Sequence, residues 1–213
     1  MFKKLKMKLI LSSLLILAPI LVGLLLWDKL PEQMATHWDF NGTPNGWSSK
    51  EFSVIGLPIF LLFVHWMCII GTKTDPKAAN HPKQLMSLVF WICPAVSILC
   101  MCSIYAEALG YHVSINHLAP CIVGITFIII GNYLPKCSHN YTMGIKIPWT
   151  LHSEENWNRT HRFAGPVWVI CGILFMALTF MGFPKLSVAL IFIATFVPMI
   201  YSYLYFKKYE SKS

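Results

Sequence analysis

The stretch that decides the fold is Leu9–Trp27, LILSSLLILAPILVGLLLW, which runs for nineteen residues without a charged side chain. A helix needs roughly 17–25 such residues to cross the hydrocarbon core of a bilayer. Lysines precede this stretch, as in a signal peptide, but no small-residue cleavage site follows it. We therefore interpret it as an uncleaved first membrane helix.

Uncharged stretches of similar length recur along the rest of the chain. The 213 residues are 56% hydrophobic and 12% charged, whereas soluble domains average about 25% charged residues. No loop reaches the size of a separate domain, which is typically at least about 50 residues. We predict an all-α integral membrane protein whose six transmembrane helices comprise Leu9–Trp27 and five more: Ser53–Gly71, Leu85–Ala106, Leu118–Leu134, Phe163–Gly182 and Leu186–Phe206.

The distribution of Lys and Arg predicts the topology. Fourteen of the 17 basic residues fall on the two tails and on the second and fourth loops, whereas only Lys29, Lys50 and Lys185 fall on the other three loops. Because basic residues collect on the cytoplasmic side, both termini should be cytoplasmic. The net charge of +8 is divided among four membrane-flanking segments, which favours membrane lipids as partners and argues against direct nucleic-acid binding.

His65 is the one ionisable side chain well inside a predicted span. Such residues are functional candidates, as proton carriers or as ligand contacts. The alternative is a neutral imidazole hydrogen-bonded to a neighbouring helix, which we favour because no acidic residue occupies a mid-span position. Prolines deep in four spans are also expected to free backbone carbonyls or to kink the helices: Pro19, Pro58, Pro94 and Pro198.

The outer loop Asp28–Phe52 is longer than a connector between adjacent helices needs to be. Thr36–Phe40 alternates like a short strand, and Asn41-Gly42 and Asn45-Gly46 are turn signals. We predict an ordered loop with aromatic side chains, Phe40 among them, at the headgroup level. His37 and Asp39 alone are too few for a closed metal site, so no metal is assigned. The candidate contact residues are Pro31, His37, Trp38, Asp39, Gly42 and Trp47.

The inner loop 135–162 predicts a short interfacial helix in its second half. Thr150 or Ser153 can cap the start, Glu154–Glu155 lie in the first turn, and Arg159–Arg162 lie in the last, as the helix dipole favours. Gly165-Pro166 is then expected to break the chain before the fifth span.

Trp157 and His161 are four residues apart and should share one face of that short helix at the membrane surface. One interpretation is an interfacial anchor, and the other is a docking surface for a protein or ligand. The His and Glu residues of this loop do not have the spacing of a zinc-protease helix. We therefore predict no catalytic residue, no cofactor and no enzymatic activity.

The two loops together resemble the bacterial SdpI-type immunity family with an amino-terminal region of the DUF1648 type. The first loop carries Leu30-Pro31, His37, Gly42, Pro44 and Gly46-Trp47 of the DUF1648 pattern. The SdpI signature is carried by Gly131-Asn132-Tyr133, Pro135-Lys136, Asn140-Tyr141, Gly144-Ile145, Pro148-Trp149-Thr150-Leu151, Glu155, Trp157 and Thr160-His161-Arg162. On this resemblance, residues 1–84 form the DUF1648-like region, and residues 85–213 form the SdpI-like region with its signature loop 135–162.

The resemblance implies a multi-pass protein of the bacterial cytoplasmic (inner) membrane that protects the cell from a secreted membrane-active peptide toxin on the outer face. It also implies signalling, in which the protein recruits a cytoplasmic winged-helix transcriptional repressor. A transporter or channel for a peptide or ion is the alternative, based on His65 and the deep prolines. The cytoplasmic platform would comprise Asn132, Pro135, Lys136, Asn140, Tyr141, Trp149, Thr150, Glu155, Trp157, Thr160, His161 and Arg162.

Overall fold

A computed structural model of the protein describes residues 2–81, 83–111 and 113–211. A two-stranded hairpin and two short turns separate the first two of its α-helices, and 3-10 or π turns extend several others. The strands are β1 (Gln33–Trp38) and β2 (Pro44–Ser49). The helices are α1 (Phe2–Leu25), α2 (Leu57–Lys73), α3 (Lys83–Ala108), α4 (Ile115–Tyr133), α5 (Pro148–His152), α6 (Glu154–Phe180) and α7 (Pro184–Tyr205).

Six of these helices, with their flanking turns, are long and apolar enough to cross a membrane, so the prediction of six spans is confirmed. Proline does not interrupt them, although one lies inside each of α1, α3, α4, α6 and α7. The candidate spans are Lys6–Leu25, Phe52–Lys73, Gln84–Ala108, Ile115–Lys136, Glu154–Phe180 and Pro184–Glu210.

The chain forms two compact units, and their bounds differ from the predicted sequence regions. The first unit contains the residues up to Ile70 together with Met86–Asn116, and the second contains Gly71–Leu85 and the residues from His117 onwards. The third span therefore groups with the first two rather than with the last three. Residues 1–84 and 85–213 remain a division predicted from sequence.

In the first unit, hydroxyl groups of α3 bind carbonyls of α1 around Pro19. Ser97 donates to the carbonyl of Ile16 over 3.0 Å, and the Tyr105 hydroxyl donates to the carbonyl of Pro19 over 2.9 Å. Neighbouring helices commonly satisfy carbonyls near a proline in this way. The apolar core beside these contacts contains Leu30, Met34, Val54, Met101, Ile104 and Tyr105.

The loop 28–52 folds as an antiparallel hairpin against that core. Its register runs from Gln33 opposite Ser49 to Trp38 opposite Pro44, with an irregularity near His37. The predicted strand Thr36–Phe40 overlaps β1 at Thr36–Trp38, whereas Asp39 and Phe40 lie beyond it. Met34 of β1 is only 1% exposed because it packs into the core. The hairpin is an ordered part of the first unit.

In the second unit, α4 and α6 approach closely at two pairs of glycines. A Cβ atom on Gly131 would lie 2.8 Å from the carbonyl oxygen of Gly165, and one on Gly172 would lie 2.7 Å from that of Gly124. Small residues allow helix backbones in membranes to meet at this distance. The core between α6 and α7 contains Cys171, Phe175, Leu190 and Ala194.

The prediction of a separate interfacial helix was wrong. Residues 154–162 are the first turns of α6, which continues through Gly165-Pro166 into the span. Pro166 lies inside this helix, as membrane helices can tolerate, and the adjacent Gly165 packs closely on Gly131 and Pro135. The predicted cap at Ser153 is confirmed, since its hydroxyl accepts the amide of Asn156 over 3.2 Å.

Candidate functional site

The signature loop 135–162 is built around a stack of two rings. The centroids of Trp157 and His161 lie 4.1 Å apart with an interplanar angle of 22°, so the predicted shared face is confirmed. The prediction that both rings lie at the membrane surface was wrong, because Trp157 is 0% exposed and His161 is 1% exposed. Gly144, with a φ of +116°, packs against both rings, and a Cβ atom there would collide with the imidazole.

The hydrogen bonds of His161 fix a neutral imidazole. Nδ1 lies 2.8 Å from the carbonyl of Trp157, and Nε2 lies 2.9 Å from the amide nitrogen of Ile145. Because a carbonyl only accepts and an amide N–H only donates, Nδ1 carries the proton and Nε2 does not. The Trp157 indole in turn donates to the carbonyl of Cys137 over 2.6 Å. The two rings therefore bind the loop backbone at Cys137 and at Ile145.

Asn140 organises the turn that precedes Gly144. Its side-chain oxygen accepts the amides of Thr142 (2.9 Å) and Met143 (2.7 Å), and its side-chain nitrogen donates to the carbonyl of Ser138 over 2.8 Å. Asn140 is completely buried, and a buried amide left without partners would be costly. The hydrogen bonds of this side chain therefore hold the backbone of a loop that has no strand pairing in the part of the chain that the structure describes.

Asp75, in the loop between α2 and α3, is a functional candidate that the sequence analysis missed. Its carboxylate accepts the amides of Lys77 (2.7 Å) and Tyr141 (3.0 Å), His81 Nε2 over 3.1 Å, and the Thr142 hydroxyl. Burial alone would raise the pKa of Asp75, but these hydrogen bonds outweigh it and hold the pKa at about 2. The Asp-Pro turn signal at this position was the only hint in the sequence.

His139 joins the same two loops through a second contact. Lys77 donates from Nζ to His139 Nδ1 over 2.6 Å, and His139 Nε2 donates to the carbonyl of Leu151 over 3.1 Å. The imidazole also meets the ring of Trp157 edge-on at 5.1 Å. The α2–α3 loop, the signature loop and the end of α5 are thereby connected through buried polar groups.

Asn156 and Thr160 fasten α6 to α7. The side-chain oxygen of Asn156 accepts the hydroxyls of Ser202 (2.6 Å) and Thr160 (3.0 Å), and its nitrogen donates to the Ser202 carbonyl (3.2 Å) and to Glu210 (3.1 Å). Asn156, Thr160 and Ser202 are completely buried, and Glu210 is half-buried. Asn156 was missed because an asparagine in a helix gives no sequence signal for its partner.

The predicted platform residues therefore divide into two groups. The members that shape the loop are buried and cannot meet a partner directly: Asn140, Thr150, Trp157, Thr160 and His161. The members that face outward are Asn132, Pro135, Lys136, Tyr141, Glu155 and Arg162, with Trp149 half-buried. Burial thus corrects the interpretation of the first group from contact residues to supporting residues.

In the hairpin, His37 and Asp39 bind different partners rather than one ion. His37 Nδ1 lies 2.6 Å from the side-chain oxygen of Asn45 across the strands. Asp39 accepts the amides of Asn41 (2.8 Å) and Thr43 (2.9 Å), which closes the turn. Both candidates are used to hold the hairpin in shape.

Two aromatic rings of the hairpin project outward. Phe40 is 54% exposed and Trp47 is 58% exposed, whereas Trp38 is half-buried against the core. Gly42 supplies the positive φ of +81° that the turn between the strands requires. Pro31 is exposed before β1, so the outward side of the hairpin presents Pro31, Phe40 and Trp47.

His65 makes the predicted hydrogen bond to a neighbouring helix. Its Nε2 atom lies 2.8 Å from the hydroxyl oxygen of Ser12, and that hydroxyl donates to the carbonyl of Leu9 over 3.0 Å. Nε2 must therefore be the donor, which leaves Nδ1 as an acceptor. Among the residues that the structure describes, no hydrogen-bond partner meets this buried Nδ1 atom.

Most of this buried network falls within the part of the chain that matches a known family. Residues 136–202 match the SdpI/YfhL protein family. Residues 14–62 match a domain of unknown function, DUF1648, and this stretch includes the hairpin. The SdpI/YfhL match starts at the second residue of the signature loop, so Asn140, Trp157 and His161 all lie inside the matched stretch.

One curated relative extends this similarity over nearly the whole chain. Immunity protein SdpI of Bacillus subtilis (strain 168) is 28% identical over 202 residues, which cover 93% of this chain and 96% of that protein. No solved structure matches the chain. The predicted resemblance to the SdpI family and to DUF1648 is confirmed, and the six apolar helices together with this similarity indicate a multi-pass membrane protein.

Proposed function

We propose that this protein is an immunity protein of the bacterial cytoplasmic membrane that protects its cell from a secreted membrane-active peptide toxin. The observation that carries the proposal is the similarity to Immunity protein SdpI over 93% of the chain. Six apolar helices suit a protein that acts in the membrane, where the toxin does. No catalytic residue is assigned, because the buried histidines and Asp75 of the second unit are used in structural hydrogen bonds.

The positive charges support an orientation with both termini in the cytoplasm. On that orientation the hairpin is extracellular, and the signature loop is cytoplasmic. Each side of the membrane then carries one ordered loop, which suits a protein that meets a toxin outside and a regulator inside.

The hairpin is the proposed contact for the toxin. Its inner side is fixed by Met34 in the core, and its turn is closed by Asp39, so Phe40 and Trp47 are held outward before any partner arrives. Rings that are already ordered lose little conformational entropy on binding. A membrane-active peptide has an apolar face that such rings can bury.

Survival of a sensitive bacterium during challenge with a toxin of the Sdp class tests this proposal. Cells with the wild-type protein should survive and keep their membrane potential, whereas the double variant Phe40→Ser/Trp47→Ser at equal membrane abundance should lose most of that protection. The matched control is Tyr111→Ser, which removes a ring that is 69% exposed outside the hairpin. Full protection by the double variant would exclude the hairpin as the contact, and no protection by the wild type would exclude immunity to this toxin.

The outward residues of the signature loop are the proposed platform for a cytoplasmic winged-helix repressor. Lys136 and Tyr141 are exposed, and the backbone between them is held at the carbonyls of Cys137 and Ser138 by the buried Trp157 and Asn140. In cells that co-express such a regulator, Lys136→Gln/Tyr141→Ala should reduce its sedimentation with membranes while protection is retained. The exposed Lys185→Gln, outside the signature loop, is the control. Unchanged sedimentation in both variants would exclude this platform.

Transport of an ion or peptide is the second candidate function, and the buried His65 is the observation that favours it. Its Nδ1 acceptor, which meets no hydrogen-bond partner among the described residues, lies inside a candidate membrane span, where ionisable residues often mark transport pathways. A transporter should lose function in His65→Leu. Unchanged protection and membrane potential in that variant would count against the transport mechanism and leave the immunity proposal intact.

A further inference from the structure

We propose that α6 and α7 form a binding site for the headgroup of an anionic phospholipid, at the end of the pair where α6 begins and α7 ends. This site is separate from the buried ring stack of the signature loop. It lies on the outward face of both helices, and it does not depend on the proposed immunity function.

Two stripes with the same spacing face each other in this site. On α6 the side chains of Glu155, Arg159, Arg162 and Phe163 follow one another at intervals of four, three and one residues. The same spacing is found in Tyr201 and Tyr205 of α7 with Lys208 and Tyr209 of the π turn Phe206–Glu210 that extends it. Residues at such intervals share one helix face. We call these eight residues the interfacial stripe.

Ring and cation contacts join the two halves of the stripe. Phe163 stacks on Tyr201 with centroids 4.5 Å apart, and the Arg159 guanidinium lies 5.1 Å from the centre of the Tyr205 ring. Tyr205 packs on Tyr209 at 4.9 Å. Side chains that would be mobile on a single helix are thus held in one arrangement.

The stripe remains open to its surroundings despite these contacts. Tyr209 is 58% exposed, the side chains of Arg159 and Glu155 are 53% and 64% exposed, and Arg162 is also exposed. Within the stripe, three cations accompany one carboxylate, Glu155, which is bound to Arg159 at 3.0 Å. The neighbouring Glu210 accepts a hydrogen bond from Asn156 over 3.1 Å. The surplus positive charge lies at Arg162 and Lys208, which suits a phosphate group.

The order of residues along α7 indicates that the partner is a lipid. The last exposed aliphatic side chains are Ile200 and Leu204, each 56% exposed. The half-buried rings of Tyr205 and Phe206 come next, and exposed Lys207 and Lys208 follow them. Tyr201, Tyr205 and Tyr209 lie across this boundary, as tyrosines do at the membrane interface. Apolar, aromatic and basic groups therefore succeed one another as acyl chain, glycerol and phosphate do in a phospholipid.

Reconstitution of the full chain into nanodiscs tests the site. In phosphatidylcholine discs with increasing phosphatidylglycerol, wild-type protein should gain thermal stability and retain phosphatidylglycerol in native mass spectrometry. The variant Arg162→Gln/Lys208→Gln neutralises two basic residues at the surface and should weaken this retention about 30-fold. The control Lys29→Gln/Lys185→Gln removes two exposed charges outside the stripe and should retain the lipid like the wild type.

Three outcomes would overturn the proposal. Equal retention by the stripe variant and the control would show that the stripe gives no preference. If inorganic phosphate stabilised the detergent-solubilised protein as much as phosphatidylglycerol stabilises it in nanodiscs, the ligand would be a soluble anion rather than a lipid. If phosphatidylglycerol had no effect on the wild type, the surface would be left to a protein partner. Arg162→Lys/Lys208→Arg, which preserves both charges, should retain the lipid and so distinguishes lost charge from lost folding.

Discussion

The hairpin and the signature loop are both ordered loops rich in aromatic residues, yet they are stabilised in opposite ways. The hairpin has a backbone ladder between β1 and β2 and leaves Trp47 58% exposed. The signature loop has no strand among its described residues and buries Trp157 completely. A loop whose backbone is paired between two strands can present its aromatic rings to a partner. A loop without strand pairing uses its aromatic and polar side chains to form its own core.

This difference predicts where substitutions act. In the hairpin, removing an outward ring should affect binding far more than folding, because the ladder and the buried Met34 hold the shape. In the signature loop, removing an inward ring should disorder the segment before any partner is involved. The following four predictions test that contrast, from the largest expected effect to the smallest.

Trp157→Ala should destabilise the second unit by about 3–5 kcal/mol, since it empties a fully buried ring site. It also removes the indole bond to Cys137 and the stack on His161. Thermal unfolding of the detergent-solubilised protein and limited proteolysis at the signature loop measure the effect. Tyr141→Ala, whose ring is 48% exposed, is the control and should cost less than about 0.5 kcal/mol. Equal effects of the two variants would contradict the proposed buried core.

Gly144→Ala should cost about 1–3 kcal/mol, because its φ of +116° is unfavourable for a residue with a Cβ atom. The new methyl group would also meet the His161 imidazole, so the amide of Ile145 should lose protection from hydrogen exchange. Gly71→Ala is the matched control, since a Cβ atom there meets nothing within 4 Å. Normal protection of Ile145 in Gly144→Ala would refute the close packing of this turn on the ring stack.

Acid should loosen the link between Asp75 and the signature loop. The pKa of Asp75 is about 2 in the folded protein, against an ordinary value of 3.8. A lowered folded-state pKa contributes stability above about pH 4, and this contribution is lost as the pH falls through about 2. Protection of the Tyr141 amide from exchange should decrease over that range. Asp75→Asn should show weaker protection at pH 5 and no such acid transition, and a transition that persists in this variant would assign it to another group.

Asp39→Ala should have the smallest effect, about 1 kcal/mol confined to the hairpin turn. It removes the acceptor for the amides of Asn41 and Thr43, but the β1–β2 ladder remains. Hydrogen exchange should be faster at Thr43 and unchanged along β2. Asp28→Ala, at an exposed position before the hairpin, is the control. Faster exchange along all of β2 would mean that the turn, rather than the ladder and core, holds the hairpin.

Much of the fold could be predicted from local sequence. Uncharged runs identify the six spans because the bilayer sets one length and one polarity for each of them. The alternation of Thr36–Phe40 predicted a strand in the loop 28–52, which overlaps β1. The position of Ser153 before Glu154 predicted the helix cap. The predicted helix boundary at Gly165-Pro166 was wrong, because membrane helices tolerate a proline where their surroundings satisfy the freed backbone groups, and a local pattern does not show those surroundings.

Less of the candidate site could be predicted. The spacing of Trp157 and His161 correctly gave a shared helix face, and the resemblance identified the right loop. Sequence did not show that Gly144 covers those rings or that Asp75 binds the loop from more than sixty residues away. Burial and partner choice depend on which segments meet, and no local pattern contains that information.

The sequence by itself determined a membrane protein with six spans, two ordered loops and a family resemblance, because hydrophobic length, charge placement and turn residues act within short windows. The tertiary structure alone decided which aromatic residues face outward and which form the core of a loop. Trp47 lies on the outward side of a paired strand and is exposed, whereas Trp157 lies on the face of α6 that Cys137 and Gly144 cover. The Trp157 indole is buried because it stacks on His161 and donates to the carbonyl of Cys137, and only the folded chain brings these groups together.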